Sequence, residues 1–215
     1  MWCVGEMDAE YRKRMYSLLK LYAKAYDPQN PVICFDEKSK QLLGYAKKPL
    51  TGKITREDYH YVRNGTRNIF MAVEPKAGLR HTEVTRYRRK EDFAEFIRRL
   101  TDEKYPRVRK IHLVMDNLNT HNESSFYETF TKKEAKRILK RIKFHYTPKH
   151  ASWLNMAEIE IGIMDKQCLD RRIPGGYTLK RQIAVWQGKR NFEKAKILWT
   201  LTKDKADKKL AKYYI

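Results

Sequence analysis

The chain has 215 residues, with 47 Lys and Arg against 26 Asp and Glu and a formal net charge of +21. A field of that size draws polyanions, nucleic acid first, because neutralised phosphates release their condensed counterions. Hydrophobic residues make up 41% of the chain, enough for a sizeable core and too many, in organised runs, for intrinsic disorder. The three cysteines (Cys3, Cys34, Cys168) form no CxxC pair and imply a reducing compartment. The opening residues lack the apolar run of a signal peptide, and no stretch approaches the roughly 18 apolar residues of a membrane span. The expected setting is a bacterial cytoplasm, with no membrane contact.

Met15, Leu18, Leu19 and Tyr22 fall at helical spacing and predict a helix over 6–26. "DPQNP" at 27–31 stops it. "VICFD" (32–36) reads as a short apolar strand, and 38–58 as a basic, partly extended stretch. Three strand-like runs follow at 59–65, 68–75 and 80–89, and Asn64-Gly65 between the first two suits a hairpin turn. Phe93, Phe96, Ile97 and Leu100 make one face of a helix over 90–105, and "KIHLVMD" (110–116) is a second buried strand. Residues 123–141 read as one or two helices, 142–148 as a strand, and 150–172 as a loop running into a helix. Ser152 and Asn155 are the candidate caps of that helix. The remainder, 178–215, reads as basic and helical. The alternation predicts an α/β fold with an early antiparallel portion and later strands joined by crossover helices.

Two apolar strands end in an aspartate, Asp36 and Asp116, and ligands bind at such strand ends in open α/β sheets. Glu158 lies early in a later helix. Each alone has a plainer reading, as a turn residue or cap or as a solvated helical charge. Together, three carboxylates from different elements suit a hard divalent cation such as Mg²⁺. Two such ions roughly 3.5–4 Å apart can serve both the attacking and the leaving oxygen at phosphorus.

Four segments carry a family resemblance: "CFDEKSKQLLGY" (34–45), "LVMDNLNTH" (113–121), "YTPKHASWLNMAE" (146–158) and "WTLTKDKADKKL" (199–210). Taken in order, they resemble the catalytic domain of the DDE transposase and integrase superfamily. They are most similar to the bacterial insertion-sequence branch related to mariner elements. The resemblance implies a ribonuclease-H-like mixed sheet flanked by helices. It implies that Asp36, Asp116 and Glu158 are catalytic and bind Mg²⁺ or Mn²⁺, as two ions. It implies cleavage and strand transfer on double-stranded DNA, at element ends and at a TA target. Asn117, His121, Ser152 and Asn155 match the polar positions around the carboxylates, with His121 expected to orient a carboxylate, a water or a phosphate, or else to contact backbone at a helix start. Trp153 is expected to pack beneath the site rather than stack on a base.

Two neighbours compete with these assignments. Glu160 rivals Glu158, although residues two apart on a helix face different ways and the spacing from Asn155 favours Glu158. Glu37 rivals Asp36, but strand alternation sets the two on opposite faces. The candidate DNA tracks are "RYRRK" (86–90), "KKEAKRILKRIK" (132–143) and "KRQIAVWQGKRN" (180–191). Arg86, Arg88, Arg89, Lys136, Lys140 and Lys149 are singled out as phosphate contacts, against the plainer reading of solvated helical faces.

The expected organisation is a helical lead-in (1–30), a catalytic domain (31–175) and a basic helical segment (176–215). Only 35 residues precede Asp36, too few for the helix-turn-helix reader of such relatives. That leaves an inactive DNA-binding remnant as the alternative function and a junction resolvase as a third. Joining two ends favours a homodimer.

Overall fold

The computed structural model describes residues 7–47, 59–116, 118 and 121–215. Five strands form one sheet: β1 (Val32–Tyr45), β2 (Tyr61–Glu74), β3 (Leu79–Thr85), β4 (Ile111–Met115) and β5 (Ile142–Tyr146), in the order β3-β2-β1-β4-β5. β1, β2 and β3 pair antiparallel, while β1 with β4 and β4 with β5 pair parallel. The expected mixed sheet is therefore present, and its parallel half is reached through helices. The helices are α1 (Ala9–Ala23), α2 (Lys90–Arg99), α3 (Ser124–Thr129), α4 (Lys132–Leu139), α5 (Met156–Met164), α6 (Gly176–Phe192) and α7 (Lys203–Leu210).

The two-residue period of the strands sorts the core. Ile33, Phe35, Phe70, Ala72, Leu113 and Met115 face one side, where Phe93, Phe96 and Ile97 of α2, Phe126 of α3 and Ile138 of α4 cover them. Cys34, Val73 and Val114 face the other side, against α1 and residues 151–157. Ile69, Met71 and Val84 lie on that side too, under α6 and the end of α5. β4, residues 33–35 of β1 and residues 68–74 of β2 are thus buried on both faces, which is why these parts read as continuous apolar runs rather than alternating ones.

Four segments differ from the sequence expectation. The strand expected to end at Asp36 runs on to Tyr45, because its later residues pair with the first half of β2, so Asp36 lies inside β1. Residues 59–65 and 68–75 are not two strands of a hairpin. They belong largely to one strand, β2, and Asn64-Gly65 sits inside it. Gly65 has φ +84°, and the register against β1 slips between Gln41 and Leu43. The pair makes a bulge, the other use of a glycine in a strand. Helix α2 is shorter than 90–105 and continues into a wider turn at Leu100–Lys104. The last segment is not continuously helical either. Between α6 and α7 it runs extended, with Ile197, Trp199 and Leu201 packed on the α1 cluster at alternate positions.

The two ends of the described residues meet. Met7 bridges to Tyr214, and Asp207 of α7 accepts from the hydroxyls of Tyr16 and Tyr214. Tyr22 Oη donates to Leu154 O at 2.8 Å, tying α1 to the turn before α5. Among the described residues, no helix is long and apolar enough to cross a membrane.

The true β2–β3 reversal ends at Gly78, where φ is +73° and an added Cβ would lie 2.4 Å from the backbone carbonyl of Lys194. Neither the backbone angle nor the neighbouring main chain leaves room for a side chain. Gly78→Ala is expected to cost about 2 kcal/mol or more, read as a lower denaturant midpoint with an unchanged slope.

Candidate active site

The parallel β1–β4 pair sets the geometry. Cys34 stands opposite Val114, so Asp36 and Asp116, each two residues further on, arrive level at the same part of the sheet. Buried Ile33, Cys34 and Phe35, and Leu113, Val114 and Met115, anchor both approaches in the core.

Asn155 brings in the third element. It caps α5, its Oδ1 accepting from Ala157 N at 3.2 Å. Its Nδ2 donates to Phe35 O at 2.8 Å and to Asp36 Oδ2 at 3.3 Å. One buried amide therefore staples the start of α5 to β1 and sets Glu158, in the first turn of α5, beside Asp36. Of the two candidate caps, Asn155 fills the role. Ser152 opens the short 3₁₀ turn before it and accepts Asn155 N–H on its carbonyl at 2.7 Å. Trp153 is partly buried and packs on the α1 cluster.

Asp36 Oδ1 also accepts from the N–H of Glu37 at 2.7 Å. Burial first, and then the negative charges of Asp116, Glu158 and Glu37, hold the Asp36 carboxyl up to about 7 in spite of that bond. Three further carboxylates thus act on Asp36 within a strongly basic chain. The donor set is all oxygen and anionic, which fits a hard divalent cation. Among the described residues, no group of three or more His, Cys, Asp and Glu side chains is placed to hold a metal ion.

Asp116 is turned toward His121, whose Nδ1 lies 2.7 Å from Asp116 Oδ1. The other ring nitrogen, Nε2, lies 2.7 Å from Glu37 Oε2. Both acceptors are carboxylates, so both ring nitrogens donate and the ring is an imidazolium. Burial pulls its pKa down, but the bonds to Asp116 and Glu37 win and raise it to about 9. Phe35 and Phe93 wall the ring, with centroids 5.2 and 5.0 Å away. Asn117 lies outside the described residues.

Glu37 is the residue that sequence reasoning set aside. Alternation does send it to the face opposite Asp36, as expected. His121 then bridges the end of the sheet and connects it back to Asp116. No spacing in the sequence links positions 37 and 121, so no sequence signal was available to find this contact.

Glu160 is fully buried and committed elsewhere. Arg80 of β3 donates to Glu160 Oε1 and Oε2 at 2.7 and 3.0 Å, and Arg190 of α6 to the same oxygens at 2.8 and 3.0 Å. Burial would raise its pKa, but the two guanidinium groups outweigh that and hold it below the ordinary range.

The basic candidates divide by location. Arg86, Arg88 and Arg89 are exposed on the β3–α2 turn, at the level of β1 just past Asp36, since Thr85 pairs with Asn68 and Asn68 with Ser39. Arg89 stacks on Tyr87 at 4.2 Å and Arg86 at 5.3 Å, while Arg88 Nη1 reaches Glu37 Oε1 at 3.3 Å. Lys149 is exposed on the loop between β5 and α5, at the same end of the sheet as Asp116. Lys136 and Lys140 are exposed on and just after α4, before the start of β5. Lys140 lies at the opposite end of the parallel strands, about 15 Å from the carboxylate end by strand rise.

Similar architectures occur in solved structures of the Mos1 mariner transposase. The chain superposes on its catalytic domain with a TM-score of 0.57 and 10% identity, covering 92% of this chain and 100% of that one. On a Mos1 paired-end complex with the left transposon end, the TM-score is 0.60 at 12% identity, covering 91% of this chain and 61% of that one. A paired-end complex with Mn gives 0.59 at 13% identity, covering 91% and 60%. The chain therefore spans about three-fifths of those longer chains. Comparison with curated protein sequences finds no significant match. The mixed sheet, its flanking helices and these superpositions define a ribonuclease-H-like domain. A family profile described as DDE superfamily endonuclease matches residues 31–180, and the chain belongs to that family.

Proposed function

We propose that this is the catalytic domain of a DNA transposase. It cleaves a phosphodiester at an element end to free a 3′-hydroxyl, and that hydroxyl then attacks target DNA. The observation that carries this reading is the meeting of Asp36, Asp116 and the first turn of α5, held by Asn155, in a DDE endonuclease. Asp36, Asp116 and Glu158 would hold Mg²⁺ or Mn²⁺, as a pair of ions. Bound there, the ions supply an activated oxygen nucleophile and offset the charge that develops on the scissile phosphate.

The protein's own groups do the rest. Asn155 fixes the direction of Asp36, and His121 fixes that of Asp116. Arg86, Arg89 and Lys149, on the site's side of the sheet, suit a DNA backbone approaching the carboxylates. Lys140, before the start of β5, is further from the scissile bond and fits a more distant phosphate contact. The anionic cluster by itself repels DNA, so the surrounding cations and a bound metal are both needed to draw a phosphate in.

Mos1 is the relative with transposon-end complexes, one of them with Mn. Labelled element-end duplex is the substrate for the test, with Mg²⁺ or Mn²⁺ added. Cleavage by the wild type and its loss in Asp116→Asn is the expected result. Cleavage that persists in Asp116→Asn overturns the reading. Salt-sensitive DNA binding with no metal-dependent cleavage in any variant points instead to a DNA-binding remnant.

A further inference from the structure

Glu37 has no part in the metal-binding assignment, yet it is closely engaged. Its side chain is 7% exposed, against 59% for Arg88 and 1% for His121. Oε1 accepts from Arg88 at 3.3 Å and Oε2 from His121 Nε2 at 2.7 Å. His121 in turn donates from Nδ1 to Asp116 Oδ1 at 2.7 Å. Asp116 is 41% exposed and is the member of this line that must keep a fixed direction.

The ring of His121 has one consequential freedom, rotation about its last side-chain bond. A half-turn would present carbon atoms where Nδ1 and Nε2 now stand. Phe35 and Phe93 confine the plane of the ring, but flat apolar walls do not distinguish one edge of an imidazole from the other. The carboxylate of Glu37 does, because only a nitrogen can donate to it. Holding Nε2 therefore determines where Nδ1 points, and Nδ1 determines how Asp116 is turned. Arg88 keeps the far oxygen of Glu37 from swinging away.

We propose that Glu37 is a positioning residue for Asp116, acting through His121 to hold the carboxylate in the orientation in which it receives a divalent cation. This rests on the reading of Asp116 as a metal ligand. A group bonded directly to a metal ligand, as His121 is to Asp116, typically changes metal affinity by about 10–100-fold. Glu37 stands one bond further out, on the opposite face of the sheet, so its effect falls at the low end of that range.

Two conservative substitutions separate position from charge. Glu37→Asp keeps the charge but shortens the reach by one methylene, so the bond to Nε2 is lost. Glu37→Gln loses the charge but keeps the reach, and its amide donates to Nε2 of a neutral ring whose Nδ1–H still serves Asp116. The fold of both variants is verified by melting. The full chain is titrated with Mn²⁺ by calorimetry as wild type, Asp116→Asn, Glu37→Asp and Glu37→Gln.

Glu37→Asp is expected to bind Mn²⁺ about tenfold more weakly than wild type, with Glu37→Gln binding several-fold more tightly than Glu37→Asp. DNA affinity measured in chelator is expected to stay level across the two variants. Wild-type affinity in Glu37→Asp overturns the proposal. So does the reverse order, which would mean that Glu37 acts by its charge alone. If Asp116→Asn binds Mn²⁺ as the wild type does, the underlying metal-ligand reading has failed instead.

Discussion

Glu160→Ala is expected to lower the unfolding free energy by about 3–5 kcal/mol, the usual cost of removing one partner from a buried ion pair. Arg80 is wholly buried and would be left with only carbonyl acceptors, Gly78 O at 2.7 Å and Ala195 O. The substitution also frees Arg190, which can turn toward solvent, so the loss comes chiefly from Arg80. It would loosen three elements at once, because the network joins β3, α5 and α6. Equilibrium denaturation reads the loss directly. Replacing both buried partners with apolar residues of similar volume, Arg80→Met with Glu160→Leu, is expected to recover part of it. A loss below about 1 kcal/mol for Glu160→Ala would mean that the network contributes little.

Two positions earlier on the same helix, Glu158→Gln is expected to have the opposite profile. Cleavage falls by on the order of 10³-fold, because a lost carboxylate ligand removes several kcal/mol of transition-state stabilisation and each 1.4 kcal/mol is about tenfold. Stability stays within about 0.5 kcal/mol of wild type. The sign follows from the electrostatics: the charge of Glu158 helps to push the Asp36 carboxyl up, so neutralising it relieves repulsion rather than breaking an attraction. Single-turnover cleavage and a denaturation curve on the same preparation check both halves. Should Glu160→Ala lose cleavage with its stability intact, or Glu158→Gln unfold the chain, the roles of the two glutamates would be exchanged.

The comparison of these neighbours shows where sequence reading reaches. Spacing from Asn155 pointed to Glu158, and helix geometry required that the two glutamates face different ways. What Glu160 does instead depends on Arg80 and Arg190, which are 80 residues before it and 30 after it. Nothing local in "AEIEIGIM" announces them. The Asn64-Gly65 pair shows a related limit. Its glycine was legible as a place of unusual backbone. Whether that place is a turn or a bulge depends on whether β1 runs on alongside it, and β1 does continue to Tyr45.

The order of most strands and helices was legible in the sequence, as were the apolar approach to Asp36 and the strand end at Asp116. So was the excess of positive charge, while the cap before Glu158 was narrowed to Ser152 or Asn155. These follow from apolar periodicity, capping chemistry and composition, all of which act over a few residues or over the whole chain. Only the tertiary structure decided the pairings between distant side chains: Asn155 with Asp36, Glu160 with Arg80 and Arg190, and Glu37 with His121. It also separated Lys140 from the end of the sheet where the carboxylates gather. The physical reason is the same in each case. A hydrogen bond or an ion pair has a reach of about 3 Å, and only the packed sheet and its covering helices bring positions so far apart in the chain within that distance.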